Sequence, residues 1–367
     1  MATQTGRLRS LDILRGITVA GMILVNNPGS WRHVFAPLRH ADWDGLTPTD
    51  LVFPFFMFIM GISMYLSLQK FNFELTKQTF FKVIKRTVLI FLVGLALNLF
   101  SHGCYSNFTD IEHLRILGVM QRLAIAYGVG SIIGMMLKGK YLLWVSGFLL
   151  LIYALLIKCT GSEVLSPDNI VAVVDRNIIG ESHLYHKYVG GLRVAFDPEG
   201  LLSAVGSIVQ VLLGSYCGKI ILSNKNKPEA IIQKLFIFGT ISLFTGLLLS
   251  YGFPINKSLW SSTFVLTTSG FALLLLGLLI WIIDIHHKDK WCSFFEVFGI
   301  NPLYLYVQAS VLAVVIGFSG VQDLCYEVFL HPYFGDYPTS LIWAIFFVLL
   351  NWVPGYILYK KKIYIKL

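Results

Sequence analysis

The feature that most constrains the fold of this chain is a series of ten apolar stretches, each near the roughly 20 residues that an α-helix needs to cross a bilayer. They lie at about 11–27, 50–69, 83–101, 114–137, 141–158, 199–220, 232–252, 260–283, 296–318 and 340–359. Only 13% of the residues are charged, against roughly 25% in a soluble domain. The sequence therefore predicts an all-α polytopic membrane protein with about ten transmembrane helices.

The distribution of lysine and arginine predicts how the chain is oriented, because cytoplasmic loops retain positive charge. An even number of spans leaves both termini on one side of the membrane. The loops and ends on that side hold 19 of the 29 Lys and Arg residues, whereas the opposite loops hold 8. We therefore expect both termini in the cytoplasm. The same distribution explains the net charge of +9 without a nucleic-acid partner, because the cations form short clusters between apolar runs.

Two of the predicted extracytoplasmic loops are long, at about 28–49 and 159–198. The second is rich in Asp, Asn, Ser, Gly and His, which indicates a folded cap or a segment that faces a substrate. Thr49 or Asp50 is expected to cap the helix that follows the first long loop. A short interfacial helix fits the polar boundary at 284–300. The five cysteines show no CxxC pair and no metal-ligand spacing, so neither a disulfide framework nor a metal site is predicted.

Charged side chains inside predicted spans need a physical reason, since each costs ~2.5–3.5 kcal/mol at the centre of a bilayer. Asp12 and Arg15 lie three residues apart on one helix face, so they can pair with each other. This pair either anchors the cytoplasmic end of the helix or lines the entry of an anionic ligand, which a guanidinium suits. Arg122 lies roughly two turns inside its predicted span, where a role at the surface is hard to defend.

The loop after the first span contains the strongest candidate for acid–base chemistry. Asn26 ends that span, and His40 follows in a segment with three carboxylates, those of Asp42, Asp44 and Asp50. A carboxylate can orient an imidazole and raise its basicity, and histidine is the natural general base near pH 7. The alternative is a histidine that is structural or simply solvated.

Two further outer segments add polar candidates. In FDPEGLLSAVGS, Glu199 stands at the outer start of a helix, where an acidic group is favourable for the helix dipole. In FPINKSLWSS, Asn256, Lys257 and Trp260 lie in a short outer turn. Lys257 is a cation on the face where cations are disfavoured, so contact with an anion is as reasonable a hypothesis as solvation.

Together these segments resemble the heparan-alpha-glucosaminide N-acetyltransferase family, membrane enzymes that acetylate terminal glucosamine on the far side of a membrane with cytosolic acetyl-CoA. The matching stretches are RLRSLDILRGITVAGMILVN, RHADWDGLTPTDLVFPFFMFIMG, GVMQRLAIAYG, DPEGLLSAVGSIVQVLLG, PINKSLWSSTFVLTT, GINPLYLYV and YILYKKKIYIKL. They occur in the family's order and cover nearly the whole chain. Two features depart from the family: the luminal N-terminal domain and first span of the animal enzymes are missing, and the segment between Asn26 and His40 is longer.

The resemblance implies a single transmembrane acyltransferase domain over residues 1–367. It implies that His40, which precedes A-x-W-x-G-L, is the catalytic residue and that Asn26, which closes the first matching helix, is its neighbour. Acetyl-CoA would be the co-substrate, without a metal, and an amino sugar or glycan end would be the acceptor. The residues expected to bind acyl-CoA or acceptor are Asp12, Arg15, Asp50, Arg122, Glu199, Asn256, Lys257, Trp260 and Asn301.

The resemblance also implies a setting and leaves alternatives open. A bacterial-type homologue without the luminal domain is expected in the cell inner membrane, surrounded by lipid, with its acceptor in the periplasm; a homodimer stays open. The main alternative is a secondary transporter for a sugar or related solute, in which Asp12, Arg15 and Arg122 would be coupling or substrate sites. A receptor or assembly factor without chemistry is the third hypothesis. The acid–base groups of the outer loop favour the enzyme.

Overall fold

Helices dominate the computed structural model of the chain, which describes residues 8–189 and 191–365. The helices are α1 (Arg9–Asn26), α2 (Val52–Leu68), α3 (Lys77–Tyr105), α4 (Val119–Met136), α5 (Leu142–Cys159), α6 (Ile170–Ile179), α7 (Ala204–Ser223), α8 (Pro228–Leu249), α9 (Ser262–Leu279), α10 (Cys292–Ile300), α11 (Pro302–Phe318), α12 (Val321–Leu324), α13 (His331–Phe334) and α14 (Asp336–Lys360). The two strands, β1 (His186–Val189) and β2 (Leu192–Ala195), form an antiparallel hairpin. The predicted all-α class is confirmed, with this hairpin as a small addition.

The long helices agree with the predicted spans. Eight helices among the described residues are long and apolar enough to cross a membrane, and α10 with α11, bent by 87°, would form a ninth. Helix α1 has 18 residues at the position of the first predicted span but is not among these nine helices, because Arg9, Asp12 and Arg15 make its first turns polar, so eight or nine of the ten predicted spans are matched. The short α10 lies at the boundary where the sequence left room for a short helix.

Helix α4 begins later than the sequence predicts, at Val119 and not near 114. The reason is a side chain of α3: the amide nitrogen of Asn98 donates to the carbonyls of Arg115 and Leu117 at 2.8 and 2.9 Å. Those carbonyls are therefore satisfied outside a helix. As a result, Arg122 lies in the first turn of α4 and not two turns inside it.

Helix α7 also begins later than predicted, at Ala204 and not near 199. The buried carboxylate of Asp175 accepts the N–H groups of Leu201 and Leu202 at 2.8 and 3.4 Å, so it satisfies amide donors just ahead of the helix. Glu199 consequently lies in the turn before α7 instead of in its first turn.

The start of α2 is a capped turn that corrects the predicted cap. Thr47, and not Thr49 or Asp50, is the N-cap of the short 3₁₀ turn Pro48–Leu51 that leads into α2. Asp50 completes the capping box, since its Oδ2 accepts the backbone N–H of Thr47 at 3.1 Å. Pro48 suits the first position after the cap, where no N–H is needed.

Both ends of the described chain meet on one side of the bundle. Glu296 of α10 accepts a hydrogen bond from the Arg9 guanidinium at 3.1 Å and one from the Tyr359 hydroxyl at 3.4 Å. We call this the inner side and the opposite face the outer side. That the inner side is cytoplasmic stays a prediction.

The outer loop at 159–198, for which the sequence indicated a folded cap or a segment that faces a substrate, contains a hairpin and a helix with a small core of their own. Val171 of α6 and Phe196 after β2 are fully buried, and they pack with Tyr153 of α5 and with Leu259 of a second outer loop. The loop also contacts the segment that contains His40, because the Trp43 indole donates to the carbonyl of Glu163 at 2.8 Å. The unit therefore covers part of the outer face next to His40.

Helices α2 and α7 pack backbone against backbone at two glycines. A Cβ added at Gly61 would lie 2.1 Å from the carbonyl oxygen of Val211, and one added at Gly214 would lie 2.1 Å from that of Phe58. Small residues at such crossings let helices approach closely inside membranes. The position of α2, and hence of the residues at both of its ends, depends on this contact.

Replacing Gly61 with alanine should therefore destabilise the protein. We expect Gly61→Ala to cost about 1–3 kcal/mol, because the added methyl group overlaps backbone that cannot rotate away. Gly147→Ala is the matched control, since nothing lies within 4 Å of its added Cβ. Thermal unfolding in detergent, followed by size-exclusion chromatography, measures the difference. Equal melting temperatures for the two variants would contradict the close packing of α2 on α7.

Candidate functional site

Three side chains from separate segments meet on the outer side of the bundle. Nδ1 of His40 lies 2.7 Å from Oδ1 of Asp50, and Nζ of Lys257 lies 2.9 Å from the same nitrogen. Nζ of Lys257 is also 3.3 Å from Oδ1 of Asp50, so the three atoms form a closed triangle. The His40 side chain is 42% exposed, whereas that of Asp50 is fully buried. Part of the imidazole is thus accessible from the outer side, with Nζ of Lys257 also 3.4 Å from Nε2.

Asp50 holds this triangle in place through its second oxygen. Oδ2 accepts the backbone N–H groups of Ala41 and Thr47, both at 3.1 Å, and the Thr47 hydroxyl at 3.0 Å. Because hydrogen bonds to the charged form stabilise a buried carboxylate, Asp50 can remain ionised beside His40. A buried carboxylate bonded to Nδ1 fixes the ring and makes Nε2 the nitrogen that can accept a proton.

Lys257 is presented by a turn that Asn256 organises. The Asn256 amide oxygen accepts the N–H of Leu259 at 2.8 Å, and its amide nitrogen donates to Asp44 at 3.1 Å. Trp260 ends the turn with φ of 51°, in the left-handed region that non-glycine residues rarely adopt. Asn256 is therefore a positioning residue that joins this turn to the loop containing His40.

The environment of Lys257 shifts its pKa. Burial lowers the pKa of the Lys257 ammonium. The charges of Asp50 and Glu199 oppose this effect, and the guanidinium of Arg122 reinforces it. These groups place Glu199 and Arg122 in the same electrostatic neighbourhood as the triangle.

Lys187 is a second cation at this site, and sequence reasoning missed it. Its Nζ donates to the Ser258 hydroxyl at 2.6 Å and lies 5.2 Å from the ring centroid of Trp43. Burial also lowers the pKa of Lys187. The polar composition of the loop at 159–198 was the only available signal, because nothing in the sequence places the tip of β1 beside Ser258.

Arg122 is fully buried in the neighbourhood of the triangle. Its Nη2 donates to the carbonyl of Gly200 at 3.1 Å and to the Ser203 hydroxyl, and its guanidinium lies 4.9 Å from the Trp260 ring. Nε and Nη1 of Arg122 and Nε1 of Trp260 are buried and have no acceptor among the described residues. A buried donor without a partner is costly, so these three nitrogens are candidates to donate to a ligand oxygen.

Glu199 belongs to an ion-pair cluster that also includes a residue missed in the sequence. Arg115 makes two hydrogen bonds to Asp197, at 2.9 and 2.6 Å, and one to Glu199 at 2.5 Å. Burial of Asp197 would raise its pKa, but the hydrogen bonds and charge of Arg115 lower it. The cluster fixes the turn that offers Gly200 and Ser203 to Arg122.

Asp12 and Arg15 form the predicted ion pair on the inner side, at 3.0 Å. Arg15 also donates to the Ser63 hydroxyl of α2 at 2.9 Å. Asn301 lies on the inner side as well, where its side chain binds the backbone of Ile363 and Ile365. These three candidates are therefore far from the outer triangle.

The inner side contains three adjoining cavities of about 560, 310 and 360 Å³. The first two share Arg15 and Ser63, and the second and third share Arg86 and Tyr127. Their basic lining residues are Arg15, Lys70, Lys82, Lys85, Arg86 and Lys225. Such a set suits a ligand with several phosphates. In the part of the chain that the structure describes, no three His, Cys, Asp or Glu side chains are grouped to hold a metal ion.

Asn26 is placed apart from these contacts. It is the exposed last residue of α1, and within residues 8–189 and 191–365 its side chain makes no hydrogen bond. The structure thus brings together His40, Asp50, Lys257 and their supporting residues on the outer side, and Asp12, Arg15 and Asn301 on the inner side. The proximity of Asn26 to His40 remains a prediction.

Comparison with known proteins gives consistent matches. Residues 7–177 match the family model described as heparan-alpha-glucosaminide N-acetyltransferase, catalytic. The chain is 30% identical to the heparan-alpha-glucosaminide N-acetyltransferase of Mus musculus, over 100% of this chain and 61% of that protein. It is 29% identical to the protein of the same name from Homo sapiens, over 98% of this chain and 60% of that protein. The chain thus spans about three fifths of the length of these relatives.

The stability of the outer unit should depend on pH through Asp175. Burial raises the pKa of this carboxyl group to about 6, although the N–H groups of Leu201 and Leu202 oppose the shift. The folded protein therefore binds this proton more tightly than the unfolded chain does, so stability increases as the pH falls through about 6. We expect the melting temperature of the wild type to rise between pH 7 and 5 relative to that of Asp175→Asn. Parallel curves for the two proteins would contradict the raised pKa.

Proposed function

Because the chain belongs to the heparan-alpha-glucosaminide N-acetyltransferase family, we propose that it is a transmembrane acyltransferase. It transfers an acetyl group from cytosolic acetyl-CoA to an amino sugar on the extracytoplasmic side. The observation that carries the proposal is the arrangement of an accessible His40–Asp50 pair on one side of the bundle and a basic set of cavities on the other. We further propose an inner-membrane location and a terminal glucosamine-like acceptor.

In the proposed mechanism, His40 is the general base. The acceptor amine attacks the thioester carbon, Nε2 of His40 takes the amine proton, and Asp50 stabilises the imidazolium through Nδ1. Collapse of the tetrahedral intermediate breaks the carbon–sulfur bond, and the proton passes to the departing thiolate. The products are the acetamide and free CoA. We propose that Asn26 donates a hydrogen bond to the oxyanion or to the acceptor.

A ping-pong route uses the same residues. The imidazole would attack the thioester and release CoA, and the acceptor amine would then take the acetyl group from His40. In that route Asp50 has the same task, because it holds the ring and balances the positive charge of the acyl-imidazole.

The donor is proposed to enter from the inner side. Its phosphates would meet the cations of the inner cavities, and its thioester would reach His40 along α2, which carries Asp50 before its first turn and Ser63 near its end. These two residues are 13 positions apart, or about 20 Å along a helix. The donor must therefore lie extended, and the unpartnered N–H groups of Arg122 and Trp260 would meet carbonyl oxygens of its arm.

A measurement of free CoA distinguishes an acyltransferase from the alternative, a secondary transporter. Purified protein that liberates CoA from acetyl-CoA over many turnovers only when glucosamine is present is an acyltransferase by either route, since the ping-pong route releases at most one CoA per protein without the acceptor. Reconstituted protein that moves labelled sugar across a vesicle and releases no CoA is a secondary transporter, and that result would reject the proposal.

Removing the imidazole should stop transfer and preserve the fold. We expect His40→Ala to reduce acetyl transfer by about 100-fold or more, because general-base catalysis contributes about 10²–10⁴-fold. Acetyl-CoA binding and the melting temperature should stay near wild type. His33→Ala is the matched control, since His33 lies in the same outer loop and faces Asp336 instead. Near-normal turnover of His40→Ala would contradict the proposed role of His40 as the general base.

Removing one cation of the inner cavities should weaken the binding of acetyl-CoA without affecting the acceptor. Arg86 lines two of the inner cavities, and its buried Nε has no acceptor among the described residues. We expect Arg86→Met to weaken acetyl-CoA binding by about 10–100-fold, which corresponds to the free energy of one hydrogen bond between charged groups. The KM of the acceptor should not change.

Lys234→Met is the control for Arg86→Met, because Lys234 is an inner cation that bonds Asn224 and lines none of these cavities. Isothermal titration with acetyl-CoA measures the effect. Equal affinities for the two variants would place the donor phosphates elsewhere.

A further inference from the structure

The amine of Lys257 lies beside the imidazole ring of His40 and not in line with either ring nitrogen. Its Nζ is 2.9 Å from Nδ1 and 3.4 Å from Nε2. An atom that bonds one ring nitrogen along its lone-pair axis lies much farther from the other nitrogen. These two similar distances therefore place Nζ off both axes, and the direction in front of Nε2 remains open to a substrate.

Asp50 fixes the ring hydrogen and uses only part of the hydrogen-bonding capacity of Lys257. Its Oδ1 lies 2.7 Å from Nδ1, so the hydrogen of the neutral ring is on Nδ1 and the lone pair is on Nε2. The same Oδ1 is 3.3 Å from Nζ, and among residues 8–189 and 191–365 Asp50 is the one carboxylate within 4 Å of Nζ. A lysine amine has two or three hydrogens, so at least one N–H of Lys257 can donate to a ligand.

The carbonyl group of the donor must come close to this N–H in either route of acyl transfer. The acceptor amine bonds Nε2 of His40 when it loses its proton, so the thioester carbon that it attacks lies next to Nε2. In the ping-pong route the acyl group is attached to Nε2 itself. Since Nζ of Lys257 is 3.4 Å from Nε2, both routes form a negatively charged oxygen within reach of Nζ.

We propose that Lys257 is a catalytic residue that donates a hydrogen bond to the tetrahedral oxyanion formed beside His40. This inference rests on the proposed function. As the amine forms its bond to the thioester carbon, the electron pair of the carbonyl bond moves to the oxygen, which Nζ binds while it keeps its own proton. When the carbonyl bond forms again, the carbon–sulfur bond breaks and the thiolate takes the proton held at Nε2. Of the two roles proposed for Asn26, this assignment leaves the contact with the acceptor.

Asp50 allows a second cation to stand beside the base. During transfer His40 becomes an imidazolium next to the Lys257 ammonium, and Oδ1 of Asp50 contacts both. The oxyanion supplies a second negative charge, so the two cations are balanced only while the tetrahedral intermediate exists. A donor directed at a charge that develops in the transition state increases kcat and leaves the binding of substrates nearly unchanged.

Replacing Lys257 with methionine tests this role through the separation of kcat from KM. We expect Lys257→Met to lower kcat by about 100–1,000-fold, the usual effect of removing one oxyanion donor. The KM values for acetyl-CoA and glucosamine should stay near wild type. Lys158→Met is the matched control with near-normal kcat, because Lys158 is an outer lysine whose Nζ donates to the carbonyl of Gly252. A Lys257→Met variant with normal kcat and a raised KM would show ground-state binding and overturn the proposal.

A double variant separates direct contact with the oxyanion from an effect exerted through His40. In His40→Ala the slow residual transfer still forms an oxyanion, so adding Lys257→Met should lower that rate again by about tenfold or more. Radiolabelled acetyl-CoA measures these slow rates. Equal rates for His40→Ala and for the double variant would mean that Lys257 only holds His40 in place, and the proposal would be wrong.

Lys257→Arg keeps the test decisive if the methionine variant does not fold, because the guanidinium still provides a charged partner for Asp50. Its N–H groups donate from a different position, so kcat should fall less than in Lys257→Met, with both KM values near wild type. A raised KM with normal kcat, or a rate no higher than that of Lys257→Met, contradicts the oxyanion role. A wild type that releases no CoA in the presence of glucosamine rejects the proposed function instead.

Discussion

The outer half of this protein is organised by one buried negative charge, the carboxylate of Asp50. An ionised group without exposure to water is stable only when partners replace its hydration. Those partners come from three segments: the capping turn before α2, the loop at Ala41, and the turn that carries Lys257. The bonds that keep Asp50 ionised therefore also fix His40 relative to α2. Removing this charge would release all three segments together, so the geometry of the proposed site and the local fold share one cause.

A second constraint separates the inner cavities from the outer polar site along the axes of the helices. Cations that could hold phosphates line the inner cavities, and the His40–Asp50 pair lies on the outer side, next to the start of α2. Helix α2 joins both regions, and its close packing on α7 through Gly61 and Gly214 limits how it can shift. An enzyme that takes a donor from one side and an acceptor from the other needs such a fixed axis. A loosely packed α2 would separate His40, the proposed base, from the proposed binding region of the donor.

Much of this architecture could be predicted from the sequence, because it depends on local patterns. Apolar stretches gave the helix positions, and three carboxylates near His40 made Asp50 a candidate partner. The rest depends on contacts between residues distant in sequence. Lys187 reaches Ser258 across 71 positions, and Asn256 bonds Asp44 across 212. No periodicity or spacing encodes such pairs. In the sequence, Arg86 was one of the cations whose distribution predicted the orientation of the chain in the membrane. That it lines a cavity is visible only in the fold.

The turn at Asn256–Ser261 shows why the outer and deeper parts of the site act together. Trp260 adopts a left-handed backbone conformation, which costs of order 1–3 kcal/mol and persists only where the surroundings impose it. Here the amide oxygen of the buried Asn256 accepts the N–H of Leu259 within the turn, and the guanidinium of Arg122 lies over the Trp260 indole. Three residues earlier, the same turn places Lys257 against His40. A ligand oxygen that bonds the unpartnered N–H groups of Arg122 and Trp260 would therefore contact the turn that also holds Lys257 beside His40.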